Sequence, residues 1–374
     1  MAFDLKSQVQ QLCADLINHR EVAKWTEAWL ACHTGNDGSE NLLWRYGQQA
    51  CASGNDSELR DCQATLENLL EKIEQTAVRV REDKEPKNVV QTHMPGTAWS
   101  LLKGAVKTIQ AAAARRVGAN DGKYLEEASA SYQMAFARPG SAVNGRTIAD
   151  RAVDRLLNQT KATFTCQTWF LLTGTVVKAV RLTAELEPGQ TGQLLPDPIL
   201  IGCVGLNEDF LLSIDRSWQF VQNHWPCPAG HRVVWGLAAH QGINLIDGDS
   251  GGASLAAVFR GAIENIPLDT FVAASATLDL SGTLGKVDGG DNKRIAAMQA
   301  GCDQVLYHPQ TRWDSKRAQE GGRKLPKVDL VTEFNNVWES LSAMERCIRA
   351  YQEHWRNKWE EEWPVSVSPL AVRP

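Results

Sequence analysis

The string Gly248-Asp249-Ser250-Gly251-Gly252 sets one serine among glycines, just ahead of an apolar run with helical spacing. A serine hydroxyl is a weak nucleophile, so any acyl chemistry at Ser250 needs a base to take its proton during attack on a carbonyl. The nearest histidine is His240, ten residues upstream. Other chemistries find less support. His231, His240 and His308 lack metal-ligand spacing, and Asp288 and Asp291 flank glycines without the pattern of a calcium loop. No G-x-x-x-x-G-K-[ST] string is present, so ATP binding is not expected. Neither a cofactor nor a metal is expected.

Taken alone, the glycine-flanked serine spells the nucleophile motif of trypsin-like proteases, and Trp235-Gly-Leu-Ala-Ala-His240 echoes their histidine segment. The spacing excludes that family. A double-barrel protease carries its histidine far upstream, on the other barrel, whereas His240 and Ser250 are ten residues apart. After Ser250 the chain reads ASLAAVFRGAIENI, a helix where a trypsin has a strand.

The longer run from Asp247 to Gln310 resembles the proteolytic domain of the Lon protease family. That family carries D-G-P-S-A-G at its nucleophile, a helix ending in proline, T-G-E, a glycine turn, and G-G-x-K-E-K-x-x-A-A. Aligned without a gap, the motif serine falls on Ser250, the proline on Pro267, the turn glycine on Gly282, the G-G pair at Gly289-Gly290 and the lysine on Lys293. Lys293 follows Ser250 by 43 residues, which is the family's separation without an insertion. The resemblance spans about 165–340, roughly half the chain.

What the resemblance implies is a Ser250–Lys293 dyad without an ATPase domain. Lysine acts as a base only when neutral, so its pKa of about 10.4 must fall by roughly two to three units through burial. Ser275 stands where the family has a threonine hydroxyl against the lysine. Backbone amides around Ser250, approached closely because of Gly251 and Gly252, would stabilise an oxyanion. Asp247 matches the motif aspartate and is expected to fix the loop.

Four positions depart from the family pattern. Asp249 replaces proline, Gly251 replaces alanine, Thr277 replaces the glutamate, and Asp291 replaces the first lysine of K-E-K. Carboxylates near Lys293 favour its charged form and oppose its work as a base. On residue types alone, Ser250 also fits a helix-capping serine and Lys293 a solvated first-turn lysine. The function expected is an ATP-independent serine endopeptidase that cuts an exposed loop of a specific protein partner, in a regulatory or bacterial defence pathway. The alternative is a catalytically silent Lon-like scaffold, as in some DNA-repair proteins similar to this family.

The elements that must position these residues follow from pattern. The chain has 374 residues, 43% of them hydrophobic and 22% charged, enough for about two domains. Residues 1–160 read as helical. Asn55-Asp56-Ser57 caps a run with Leu59, Cys62, Leu66, Leu69, Leu70 and Ile73 at three- and four-residue steps. Residues 84–96 read as a linker, and further helices are expected near 97–116, 123–137 and 147–159. Ala128, Tyr132, Ala135 and Phe136, followed by Pro139, resemble a tetratricopeptide hairpin that could bind a partner; an ordinary helical hairpin is the other reading. Lys103, Lys107, Arg115 and Arg116 are expected on one solvated face.

From about Thr163 the texture turns β-branched and aromatic, and residues 161–340 read as an α+β domain, the Lon-like half. A hairpin is expected over 164–186, helices at 208–224, from 252 and at 293–300, and strands at 232–237, 270–280 and 304–307. Residues 341–374 read as a C-terminal helix and tail in which Trp355, Trp359 and Trp363 make an aromatic stripe. The net charge of −5 supplies no electrostatic drive toward nucleic acid or anionic membrane, and no run of 18 apolar residues is present. Nine cysteines without a C-x-x-C pair, and a start without signal-peptide character, give the expectation of a reduced cytoplasmic protein.

Overall fold

The structure is a computed structural model that describes residues 6–10, 42–82, 96–137, 143–160, 162–173, 177–202, 204–238, 243, 245–311 and 325–343. Of the linker expected over 84–96, residues 84–95 lie outside the described residues and Gly96 instead opens a helix; His240 and the tryptophan stripe of the C-terminal tail also lie outside them. The described chain is mixed helix and strand, as an α+β reading requires. No described helix is long and apolar enough to cross a membrane.

Five helices come first: α1 (Leu42–Ser53), α2 (Asp56–Glu82), α3 (Gly96–Arg116), α4 (Gly122–Phe136) and α5 (Gly145–Leu156). Asn55 opens α2 by accepting from the Ser57 amide at 3.0 Å, satisfying one of the amides that a helix start leaves unpaired. The expected stripe of Leu59, Cys62, Leu66, Leu69 and Leu70 is buried. Small residues let α3, α4 and α5 approach closely. A Cβ on Gly104 would stand 2.4 Å from the Tyr132 ring, and one on Gly145 2.2 Å from the Ser129 carbonyl oxygen. Ala128, Tyr132, Ala135 and Phe136 all face this seam and are buried.

The basic residues of α3 do not form the single solvated face expected of them. Lys107 is buried and paired with Glu67 at 3.0 Å and Glu127 at 3.1 Å. Arg115 reaches Asp121 at 2.8 Å and Asp154 at 3.1 Å. Carboxylates on α2, α4 and α5 turn the cluster inward as interhelical pairs, a contact that no periodicity in α3 itself could reveal.

The second half holds a four-stranded sheet in the order β1-β2-β5-β3, with β1 (Phe164–Leu172), β2 (Lys178–Pro188), β3 (Leu194–Pro196) and β5 (His231–Ala238). The β1–β2 hairpin pairs Phe164 with Leu186 through to Leu172 with Lys178. A second sheet of β7 (Val272–Ser275), β10 (Gln304–Tyr307) and β11 (Lys327–Leu330) is wholly parallel, in the order β11-β10-β7. Two short pairs complete the strands: β4 (Gly205–Leu206) with β6 (Leu245–Ile246), and β8 (Thr277–Leu278) with β9 (Leu284–Gly285). The helices are α6 (Pro198–Ile201), α7 (Glu208–His224), α8 (Gly252–Glu264), α9 (Gly290–Gln299) and α10 (Phe334–Leu341). Between Gly252 and Ile263 every residue of α8 except Arg260 is buried. A helix apolar all round belongs in the centre of a fold, and α8 lies against β1, β2, β7 and α7.

The two halves meet at Arg151 of α5. Its guanidinium is buried and bonded to Glu187 at 3.0 Å, Asp197 at 2.9 Å and Glu185 at 2.8 Å, on β2 and at the start of α6. Arg155 also pairs with Asp197, and Arg232 with Glu187 at 2.7 Å. The arginines hold the Asp197 carboxyl below the usual carboxylate range against the opposing effect of its burial. The apolar core runs without a break across residue 160.

Candidate active site

Ser250 lies in the turn that joins β6 to α8. Gly248 takes φ +77, a left-handed backbone that favours glycine, and the chain then enters α8 at Gly252. Three contacts fix the turn from behind. The Ser213 hydroxyl of α7 donates to the Asp249 carbonyl at 3.3 Å, and the Gly252 amide to the same oxygen at 3.3 Å. The Ser275 hydroxyl donates to the Ser250 carbonyl at 3.2 Å. The amides of Ser250 and Gly251 have no acceptor among the described residues, which leaves two donors side by side at a helix start.

Gly251 is where the turn touches the core. A Cβ there would fall 1.8 Å from Cε2 of Phe170, a buried residue of β1. Phe170 packs edge-on against Phe210 of α7, and Phe210 against Trp235 of β5, with centroids 5.4 Å and 6.2 Å apart. Glycine at 251 therefore has a physical partner: the ring of Phe170 occupies the space that a methyl would take. Gly252 is equally tight, with a Cβ position 2.8 Å from the Leu278 amide.

The strand expected over 270–280 breaks at Ala276 for the same reason. The Ala276 carbonyl accepts from the Ala253 amide at 3.1 Å, and the Ala274 carbonyl from the Ser254 hydroxyl at 2.9 Å. The backbone between β7 and β8 thus bonds to the first turn of α8 and holds the serine turn in register.

Lys293 approaches from the opposite side, on the first turn of α9. Gly289 caps that helix at φ +70, and the Tyr307 hydroxyl donates to the Gly290 carbonyl at 3.1 Å. The helix begins three residues earlier than its sequence pattern suggests, so Lys293 is not a solvated end residue. It is 2% exposed, and its Nζ donates to Ser275 Oγ at 3.0 Å. Burial pushes the ammonium down to about 8, with Asp249, Asp288 and Asp247 pulling the other way. The positive end of α9 adds to the cost of a cation there.

The structure brings Ser250, Ser275 and Lys293 into one chain of contacts, Lys293 to Ser275 to the Ser250 carbonyl. It makes no hydrogen bond between Lys293 Nζ and Ser250 Oγ. Asp247 is exposed and bonds to no described side chain, so its effect here is its charge. Asp291, whose carboxylate was expected to act on Lys293, is buried near Tyr307 and is not among the charges Lys293 feels. Its place in that role is taken by Asp249 and Asp288. No group of three metal-ligating side chains exists among the described residues. His231 is half-buried, its Nδ1 3.0 Å from the Ala229 carbonyl oxygen.

Beside the serine turn runs a groove of about 620 Å³, lined by Arg216 and Asp249 on one side and by the β8–β9 hairpin, Thr277 to Gly285, on the other. Phe170, Ser213 and Arg216 carry no motif. Only the Gly251 departure could have pointed to Phe170. No protein-family model matches the chain, and no curated protein matches it.

Proposed function

We propose that this chain is an ATP-independent serine endopeptidase of Lon type, with Ser250 as nucleophile and Lys293 as base. The observation that carries the reading is the buried Lys293 Nζ on Ser275 Oγ, since an ammonium is sequestered at a cost in free energy that an ordinary surface lysine avoids. Ser275 holds Nζ on the inner side of the serine turn, and a pKa of about 8 leaves an appreciable neutral fraction near pH 7 to 8.

The chemistry then runs in two steps. Ser250 Oγ attacks the peptide carbonyl carbon as its proton passes to neutral Lys293 Nζ, and the amides of Ser250 and Gly251 receive the oxyanion. The C–N bond breaks, the proton goes to the departing amine, and an ester to Ser250 remains. Water, deprotonated by the same amine, attacks that ester; Ser250 recovers the proton and the acid product leaves. Direct contact between Nζ and Oγ forms on substrate binding, as catalytic hydrogen bonds often tighten only in the complex.

The substrate proposed is an exposed loop of a protein partner, brought by the helical half, and the setting proposed is cytoplasmic regulation or defence. The test is labelling of the purified protein with a fluorophosphonate. Labelling at Ser250 that is lost in both Ser250→Ala and Lys293→Ala, with folding intact, supports the reading. The second reading, a silent Lon-like scaffold, draws on the missing Nζ–Oγ contact and on the three carboxylates around Lys293. An unlabelled native protein would favour it.

A further inference from the structure

We infer that the groove beside Ser250 takes an extended segment with a lysine or arginine within about two residues of the scissile bond, and that Asp249 is the residue that selects it. The inference rests on the peptidase reading and names its substrate class.

Asp249 precedes the nucleophile, and its carbonyl oxygen accepts from both the Ser213 hydroxyl and the Gly252 amide. Its carboxylate, however, is left open: the side chain is 48% exposed and lines the groove. Its one ion pair among the described residues is with Arg216, at 3.9 Å, beyond hydrogen-bond reach, and Arg216 is itself half exposed. A pair this long between exposed groups is weak and easily exchanged for a better cation. The far wall carries a second carboxylate, Asp279, whose Oδ1 accepts from the Ser281 hydroxyl and from the Thr283 and Ser281 amides, and these bonds hold it below the usual carboxylate range against the opposing effect of burial. Leu280, 50% exposed, gives that wall an apolar surface for the methylene stem of a long basic side chain. Asp247 and Asp288 also act on the charge of Lys293. Lys286 follows Gly285 but does not line the groove.

Position gives Asp249 a second role. It is the first of the three carboxylates that favour the charged form of Lys293.

The experiment is a profile of the full chain on quenched-fluorescence octapeptides carrying Lys, Arg, Gln or Glu at each position in turn. The expected result is a kcat/KM for Lys or Arg about five- to tenfold above Gln at one position near the cut. In Asp249→Asn that ratio falls to about one, and in Asp249→Lys the preference passes to Glu. Because any change in Lys293 basicity acts on all peptides alike, it cancels in the ratio. A native ratio within twofold at every position, or an unchanged ratio in Asp249→Asn, overturns the inference while leaving the peptidase reading intact. No cleavage of any peptide, together with no fluorophosphonate labelling, overturns both.

Discussion

Lys293 Nζ and Ser275 Oγ lie 3.0 Å apart, one on the first turn of α9 and the other at the last residue of β7. Ser275 passes the contact on to the carbonyl of Ser250. A hydroxyl placed this way orients the amine without quenching it, since it donates its own proton elsewhere.

The rate should therefore follow the protonation of Lys293. Peptide hydrolysis is expected to rise with pH through a midpoint at about 8, where half of the buried amine is neutral, and to level off above that. Removing a carboxylate that favours the ammonium, as in Asp249→Asn, is expected to move the rising limb to lower pH. A limb unmoved in that variant would contradict the charge placement.

The same burial makes a statement about stability. The folded state holds Lys293 at about 8 against 10.5 for the free group, so at neutral pH the unfolded chain binds the proton more tightly. That weakens the fold at neutral pH by up to about 3 kcal/mol, at 1.36 kcal/mol per unit, and the loss recovers as pH rises from 8 to 10.5. Lys293→Met is expected to raise the denaturant midpoint at pH 7 and to flatten its climb toward pH 10, while abolishing labelling of Ser250.

Ser275 separates orientation from structure. Ser275→Ala is expected to lower kcat by about 10- to 100-fold with little change in KM, in the range of lost positioning and general-base contacts. Ser275→Thr, which keeps the hydroxyl, is expected to restore most of it. Equal losses in both variants would point to packing in place of a hydrogen bond.

Gly251 and Phe170 form a pair that can be read by a double-mutant cycle. Gly251→Ala alone forces a methyl into the Phe170 ring and is expected to destabilise by about 1–3 kcal/mol. Phe170→Leu opens space, and the double variant is expected to be more stable than the sum of the two changes, by about 1 kcal/mol or more. Strict additivity in urea melts would separate the two residues.

Much of this arrangement is legible in sequence where the governing contacts are local. The helix over Glu208–His224 and the strand over Gln304–Tyr307 appear at the residues their patterns indicate, because Asn207 caps the first and β-branched and aromatic residues mark the second. Ser275 stands against Lys293, where the resemblance set a hydroxyl. Long-range terms are what the sequence leaves hidden. Ala276 interrupts a continuous β-pattern because α8 claims its carbonyl, and Lys107 turns inward because Glu67 and Glu127 meet it from other helices. Asp291 precedes Lys293 by two residues in the chain, yet that offset at a helix start points them to different neighbours.

The Arg151 junction bears on how the helical half and the α+β half can be handled separately. A cut at residue 160 would remove Arg151 and Arg155 and strand Glu185, Glu187 and Asp197 with Arg232 as the remaining cation of the network. Removing one partner from a buried network typically costs about 3–5 kcal/mol, a large share of a domain's stability. The C-terminal half alone is therefore a poor expression target, and exchanging the helical half for another recognition module requires that the graft bring its own pair of arginines at this spacing.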